Sequence, residues 1–134
     1  MVPKIIKLPI LKRLIPSLTI RLSKFFNLNR GFFKIKNISM YMDLLDPIDR
    51  EIFLNQSFEN KEVNYLLKQI KKNKINTFID VGANCGYYSV FLSKNFPKLN
   101  ILSFEPNKEA HLKFKKTLKK NKNLLNKITL KNYG

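Results

Sequence analysis

The tightest constraint on this chain is a glycine-bracketed turn set between two different hydrophobic rhythms. Thr77-Phe78-Ile79-Asp80-Val81 is an apolar run of strand length. Tyr87 to Asn95 reads as a helix with Tyr88, Phe91 and Leu92 on one face, ending before Pro97. Between them lies Gly82-Ala83-Asn84-Cys85-Gly86. Glycines at such a junction let the backbone turn sharply and lie close to a ligand. The rhythm then repeats. Asn100-Ile101-Leu102-Ser103-Phe104 is a second strand. Asn107 to Lys120 is a helix with Ala110, Phe114 and Leu118 facing inward. Lys127-Ile128-Thr129-Leu130-Lys131 begins a third strand. Strands and helices alternating over short links predict an α/β fold with a parallel sheet and right-handed crossovers.

The upstream half has another texture. Phe33-Lys34-Ile35-Lys36 alternates apolar and polar, and Ile38 to Met42 follows Asn37, which predicts a hairpin. Asp46-Pro47-Ile48-Asp49 predicts a turn. Residues 60–72 predict a helix, with Asn60 as cap, Glu62 in the first turn and Val63, Leu66, Leu67 and Ile70 on one face. Lys71 and Lys72 suit its negative end. The expected division is a basic N-terminal arm over 1–40 and a ligand-binding domain over 41–134.

Charge narrows the partners. The 134 residues carry 26 basic and 9 acidic side chains, a net charge of +17. A nucleic-acid or anionic-membrane partner is one reading of such a balance. The basic residues are nearly all lysines, spread along the chain among Asn and Ile. This argues against nucleic acid, which is met by arginine clusters or aromatic-plus-basic motifs on one face. Residues 1–30 are basic and apolar together. They fit an amphipathic helix in peripheral contact with a membrane, or a helical arm packed on its own domain or a partner. Pro3, Pro9 and Pro16 break the periodicity and favour the arm. No apolar window is long enough to span a bilayer, and Lys4, Lys7, Lys12 and Arg13 interrupt any signal-peptide core. With Cys85 the sole cysteine, no internal disulfide can form, and a cytoplasmic, at most membrane-peripheral, setting is expected.

The turn also limits its ligand. Free N–H groups at the start of the following helix favour an anionic group. An acid, Glu105, closes the next strand 19 positions after Gly86. That is about the ~20-residue offset at which an acid reaches a ribose hydroxyl in βαβ nucleotide sites. Gly86-Tyr87-Tyr88 lacks the Lys-Ser/Thr of a Walker loop. The middle glycine of G-x-G-x-x-G is missing, and Asp80 at the strand tip would repel a pyrophosphate. A carboxylate there suits a ligand carrying an ammonium and a sulfonium, and S-adenosylmethionine has both. It also offers a ribose to Glu105 and a carboxylate to the helix start.

Two strings, Phe78-Ile79-Asp80-Val81-Gly82-Ala83-Asn84-Cys85-Gly86-Tyr87-Tyr88-Ser89 and Phe104-Glu105-Pro106-Asn107, resemble the FkbM-type family of S-adenosylmethionine-dependent methyltransferases. Asp46-Pro47-Ile48-Asp49-Arg50-Glu51 is similar to that family's lead-in. The resemblance covers residues 40–134. It implies a class I methyltransferase fold and O-methylation of a sugar or another small-molecule hydroxyl. It also implies a cofactor loop of Asp80, Gly82, Asn84 and Gly86, with Glu105 on the ribose. Cys85 is expected to pack rather than react, since methyl transfer needs no thiolate. His111, the sole histidine, falls in a crossover helix away from the strand tips. Tyr87 and Tyr88 can line the cofactor pocket or pack the helix. No catalytic base, metal ligand or acceptor pocket is readable.

The resemblance further implies a larger sheet, with the cofactor at the switch point between its first and fourth strands. Three strands are readable here. The expectation is a truncated chain, inactive as it stands, whose missing C-terminal half would carry the adenine wall and the acceptor site. Its first strand would then present an open edge, making the chain marginally stable or aggregation-prone. A non-enzymatic fragment using its basic N-terminus on a membrane or partner is the alternative.

Overall fold

The computed structural model describes residues 9–125 and 127–133. Residues 1–8 of the expected arm, and Gly134, lie outside them. The elements in order are α1 (Pro9–Phe25), β1 (Arg30–Ile35), β2 (Ile38–Asp43), α2 (Pro47–Asn55), α3 (Asn60–Lys72) and β3 (Thr77–Val81). They continue with α4 (Tyr87–Asn95), β4 (Asn100–Phe104), α5 (Lys108–Lys120), α6 (Lys122–Leu125) and β5 (Ile128–Lys131).

The expected α/β architecture is present. β3, β4 and β5 form a parallel sheet in that order, with Val81 opposite Phe104 and Ile101 opposite Ile128. Both crossovers step the same way, so right-handed connections put α4 and α5 on one face. Burial follows this. Ile101, Ser103 and Ile128 are buried, while Ile79 and Val81 on the opposite side are exposed. Phe114 of α5 is fully enclosed in the core cluster that also holds Val90, Leu92, Leu99 and Leu118.

The hairpin forms with Lys36 and Asn37 both at positive φ, the primed two-residue turn whose twist matches paired strands. It lies on α5, not free. Thr117 Oγ1 accepts the Tyr41 N–H at 2.9 Å, and the Asn121 side chain donates to the Ser39 carbonyl at 2.7 Å. These helix side chains satisfy backbone groups of β2 that another strand would otherwise take. The expected division at residue 40 falls within β2.

Several local expectations are corrected. The turn at Asp46–Asp49 is the start of α2. Asp46 Oδ1 accepts the N–H groups of Ile48 and Asp49 while Pro47 takes the first helical position, where its missing N–H costs nothing. Asn60 opens α3 as a helical residue, the cap position being Glu59, and its amide donates to Ser57 Oγ. The expected helical arm is α1, which runs through Pro16 for 17 residues. Only the bond from position 16 back to Lys12 is lost, and Thr19 Oγ1 returns to the Ile15 carbonyl at 2.8 Å nearby. In α4 the buried residues are Tyr87, Ser89, Val90, Leu92 and Ser93; of the expected face Leu92 is buried, and Tyr88 and Phe91 are partly buried against the core.

Candidate functional site

The C-terminal ends of β3 and β4 sit side by side, and the chain leaving β3 turns over them. The N–H groups of Gly82 and Ala83 both reach the Phe104 carbonyl, at 2.9 and 3.0 Å. Left-handed backbone recurs at Gly82 (φ 78°), Asn84 (φ 48°) and Gly86 (φ 82°). The two glycines answer different demands. A Cβ on Gly86 would overlap the Phe114 ring, so that position is closed by packing as well as by conformation. A Cβ on Gly82 would meet nothing within 4 Å, so that position needs glycine for its backbone and leaves the space above the turn open. Gly86 donates to the Ala83 carbonyl and serves as N-cap of α4. The first-turn N–H groups of α4 have no intrahelical acceptor, so their positive end faces the turn.

Asp80 and Glu105 lie on the same face of neighbouring strands. Asp80 pairs with Ser103 in register, and Glu105 is two residues beyond Ser103. Ser89 Oγ donates to Asp80 Oδ2 at 2.5 Å and shares a hydrogen bond with Ser103 Oγ at 2.7 Å. Burial pushes the Asp80 carboxyl above the usual carboxylate range. The negative charge of Glu105 adds to this, and the Ser89 hydrogen bonds oppose it. Glu105 is buried and bridges two turns. Its Oε2 accepts the Asn84 N–H at 2.6 Å and its Oε1 the Asn107 N–H at 2.8 Å. Asn107 Oδ1 in turn caps α5. Each carboxylate oxygen keeps a second lone-pair direction. Asn84 thus bonds to Glu105 through its backbone and is among the residues that line the groove beyond.

Behind the turn is a buried ion cluster. Lys113 of α5 donates to Asp49 Oδ2 at 2.6 Å and to Asp46 Oδ2 at 3.1 Å, and Asp49 also accepts the Asp43 N–H at 2.8 Å. Arg30 bridges Asp43 and Glu109 at its edge. Burial raises Asp49 despite these partners. Cys85 is enclosed against this cluster. Burial and the Asp49 charge push its thiol far above the ordinary range, so it packs and does not act as a thiolate. Tyr87 stacks on Phe91, and Tyr88 donates its hydroxyl to Glu59.

Two grooves flank the turn. One, of about 560 Å³, runs along the free side of β3 beside α3 and takes in Asp80, Val81, Tyr65, Leu66 and Tyr88. The other, of about 680 Å³, is polar and takes in Asn84, Glu105, Asn107, Arg30 and Lys113. The structure therefore bonds Asn84 to Glu105, sets Gly82 and Gly86 in the same turn through bonds to Phe104 and Ala83, and places Asp80 in the lining of the other groove.

Sequence reading missed Ser89, Ser103, Asp49 and Lys113. Ser89 carried a signal, as the lone serine among the aromatic and aliphatic residues of Tyr87 to Leu92. Asp49 and Lys113 are 64 residues apart, and nothing local marks them as a pair.

No family model and no curated protein matches the chain. Solved structures do match in fold. A Staphylococcus aureus protein described as a caffeoyl-CoA O-methyltransferase aligns with a TM-score of 0.56 and 14% identity, over 88% of this chain and 50% of its own. A Klebsiella pneumoniae protein described as an O-methyltransferase aligns with a TM-score of 0.51 and 13% identity, over the same shares. The three-stranded sheet with its crossover helices thus matches part of the class I methyltransferase fold of these structures. The chain spans about half the length of these structures.

Proposed function

We propose that the Gly82–Gly86 turn binds S-adenosylmethionine. In this reading the chain is the donor-binding part of a methyltransferase of the FkbM type, acting on a hydroxyl of a sugar or another small molecule. One observation carries it. A half-buried carboxylate, Asp80, and a buried one, Glu105, stand on one face of adjacent parallel strands at a left-handed glycine turn. The open space above Gly82 admits a ligand. The fold of the matched O-methyltransferases supports the same reading.

Each group has a role the donor can use. Asp80, held by Ser89, supplies negative charge toward an ammonium. Glu105 offers its remaining lone pairs to ribose hydroxyls while fixing the Asn84 and Asn107 backbones. The first turn of α4 attracts the carboxylate. When bound, the donor supplies an electrophilic methyl group, and this chain's residues hold and orient it. The acceptor pocket and any base that takes the hydroxyl proton are assigned to structure beyond these three strands.

Titration calorimetry with S-adenosylhomocysteine tests this. Binding is expected, with a loss of about tenfold or more in Asp80→Ala and in Glu105→Ala, the cost of removing a charge-assisted contact. NAD and ATP are expected not to compete. Absence of binding, competition by NAD or ATP, or binding indifferent to both substitutions would overturn the assignment.

A further inference from the structure

The cofactor reading leaves α1 unused, yet α1 carries the most exposed apolar row in the chain. Its inner side, Ile15, Pro16 and Ser23, faces the domain, and Ile15 and Pro16 share a cleft with Pro47, Arg50 and Leu54 of α2. That contact fixes the rotation of the helix. A second row, Leu14, Leu18, Leu22 and Phe25, then points outward at i, i+4, i+8 and i+11, and Phe26 and Leu28 extend it. Phe25 is 78% and Leu28 63% exposed. Ordinary surfaces scatter single apolar residues and do not align six in a row.

The charges that α1 itself carries are of one sign, and the acid Glu51 of α2 lies at the inner cleft with Ile15 and Pro16. Arg21 and Lys24 are exposed along its flank, and α1 contains no acid. Residues 1–42 hold nine Lys and Arg and no Asp or Glu, the first acid being Asp43. A second copy laid on this row would bring those cations together, which opposes self-association. A surface that is apolar beneath and anionic above satisfies both features. No described helix is long and apolar enough to cross a membrane. A helix with this distribution instead lies in the plane of an interface.

We propose that α1 and the corner after it dock on an anionic lipid bilayer. The row from Leu14 to Leu28 enters the headgroup–acyl boundary, and Arg21, Lys24 and the neighbouring cations meet anionic headgroups.

Sedimentation of the full chain with phosphatidylcholine vesicles, with and without phosphatidylserine, tests it. The chain is expected to pellet with the phosphatidylserine vesicles and to be released by salt. Leu18→Asp with Leu22→Asp, and separately Arg21→Glu with Lys24→Glu, are expected to weaken binding about tenfold or more. All four side chains are exposed, and unchanged circular dichroism melts would show the fold intact. Leu18→Ser with Leu22→Ser gives the same test without adding charge. Three results would overturn the proposal. These are equal pelleting with pure phosphatidylcholine, binding untouched by the leucine changes, or a dimer in buffer that the leucine changes dissolve while no vesicles are bound.

Discussion

On one face of the β3–β4–β5 sheet Ile101 is 2% exposed beneath α4 and α5. On the other, Ile79 and Val81 of the adjacent strand are 59% and 75% exposed. All three are β-branched residues of similar strand propensity; they differ in which side of the pleat they occupy and in lying on the edge strand β3 or the central strand β4. Crossovers stepping in one direction cover one face, whereas parallel sheets are ordinarily covered on both. β3 also pairs with β4 alone among the described residues, so one of its edges has no ladder partner. The residues that shape the candidate site, Asp80, Ser89, Ser103 and Glu105, all belong to the covered side. The open side carries apolar area with no hydrogen-bonding role at the turn.

The largest expected effect is on the covered side. Lys113 and Asp49 are both buried, and their pairing ties α5 to the start of α2. Lys113→Met keeps the volume and leaves Asp49 uncompensated, which is expected to cost about 3–5 kcal/mol in urea unfolding. Adding Asp49→Asn to it should restore most of the loss. If the single variant is as stable as the parent, the cluster is surface-like in behaviour and the covered face owes little to it.

The next test bears on the two faces directly. Ile101→Ala empties a packed site and is expected to destabilise by about 2–4 kcal/mol. Ile79→Ala should change stability by less than about 0.5 kcal/mol, since its side chain is already in water. It should also reduce self-association, measured by light scattering. Equal losses at both positions would mean that Ile79 is covered in solution, by a second copy or by further structure.

The covered face was largely legible in sequence because its signals are local. Gly82, Asn84 and Gly86 stand between an apolar run and a helix, and α5 repeats Ala110, Phe114 and Leu118 on one side. Each reading uses neighbours within a turn or a strand. What escaped was non-local. Asp46-Pro47-Ile48-Asp49 has turn chemistry and helix-start chemistry at once, and only its packing against Lys113 decides between them. Pro16 interrupts the apolar periodicity in the sequence, yet the helix tolerates its one lost bond where Ile15 and Ser23 are turned to the domain. The reach of Thr117 and Asn121 to the free side of β2 depends on tertiary placement that no periodicity encodes.

The smallest expected effect separates site from scaffold. Burial and the charge of Glu105 hold the Asp80 carboxyl above its unfolded value. The folded chain therefore keeps this proton more tightly than the unfolded chain does. Between the unfolded value of about 3.9 and the raised folded one, stability falls as pH rises, and the ionised carboxylate is a net cost at neutral pH. Asp80→Asn retains an oxygen for Ser89 and removes the charge. It is expected to melt at or slightly above the parent at neutral pH. The two melting curves should converge as the pH is lowered through that window, because the parent then protonates too. Affinity for S-adenosylhomocysteine should nevertheless be lost. A variant that melts lower than the parent at neutral pH, by an amount indifferent to acid, would make Asp80 a structural acid bound to Ser89. A variant that is more stable yet blind to the ligand would show a carboxylate kept ionised on the covered face at the expense of stability, as binding a cationic donor requires.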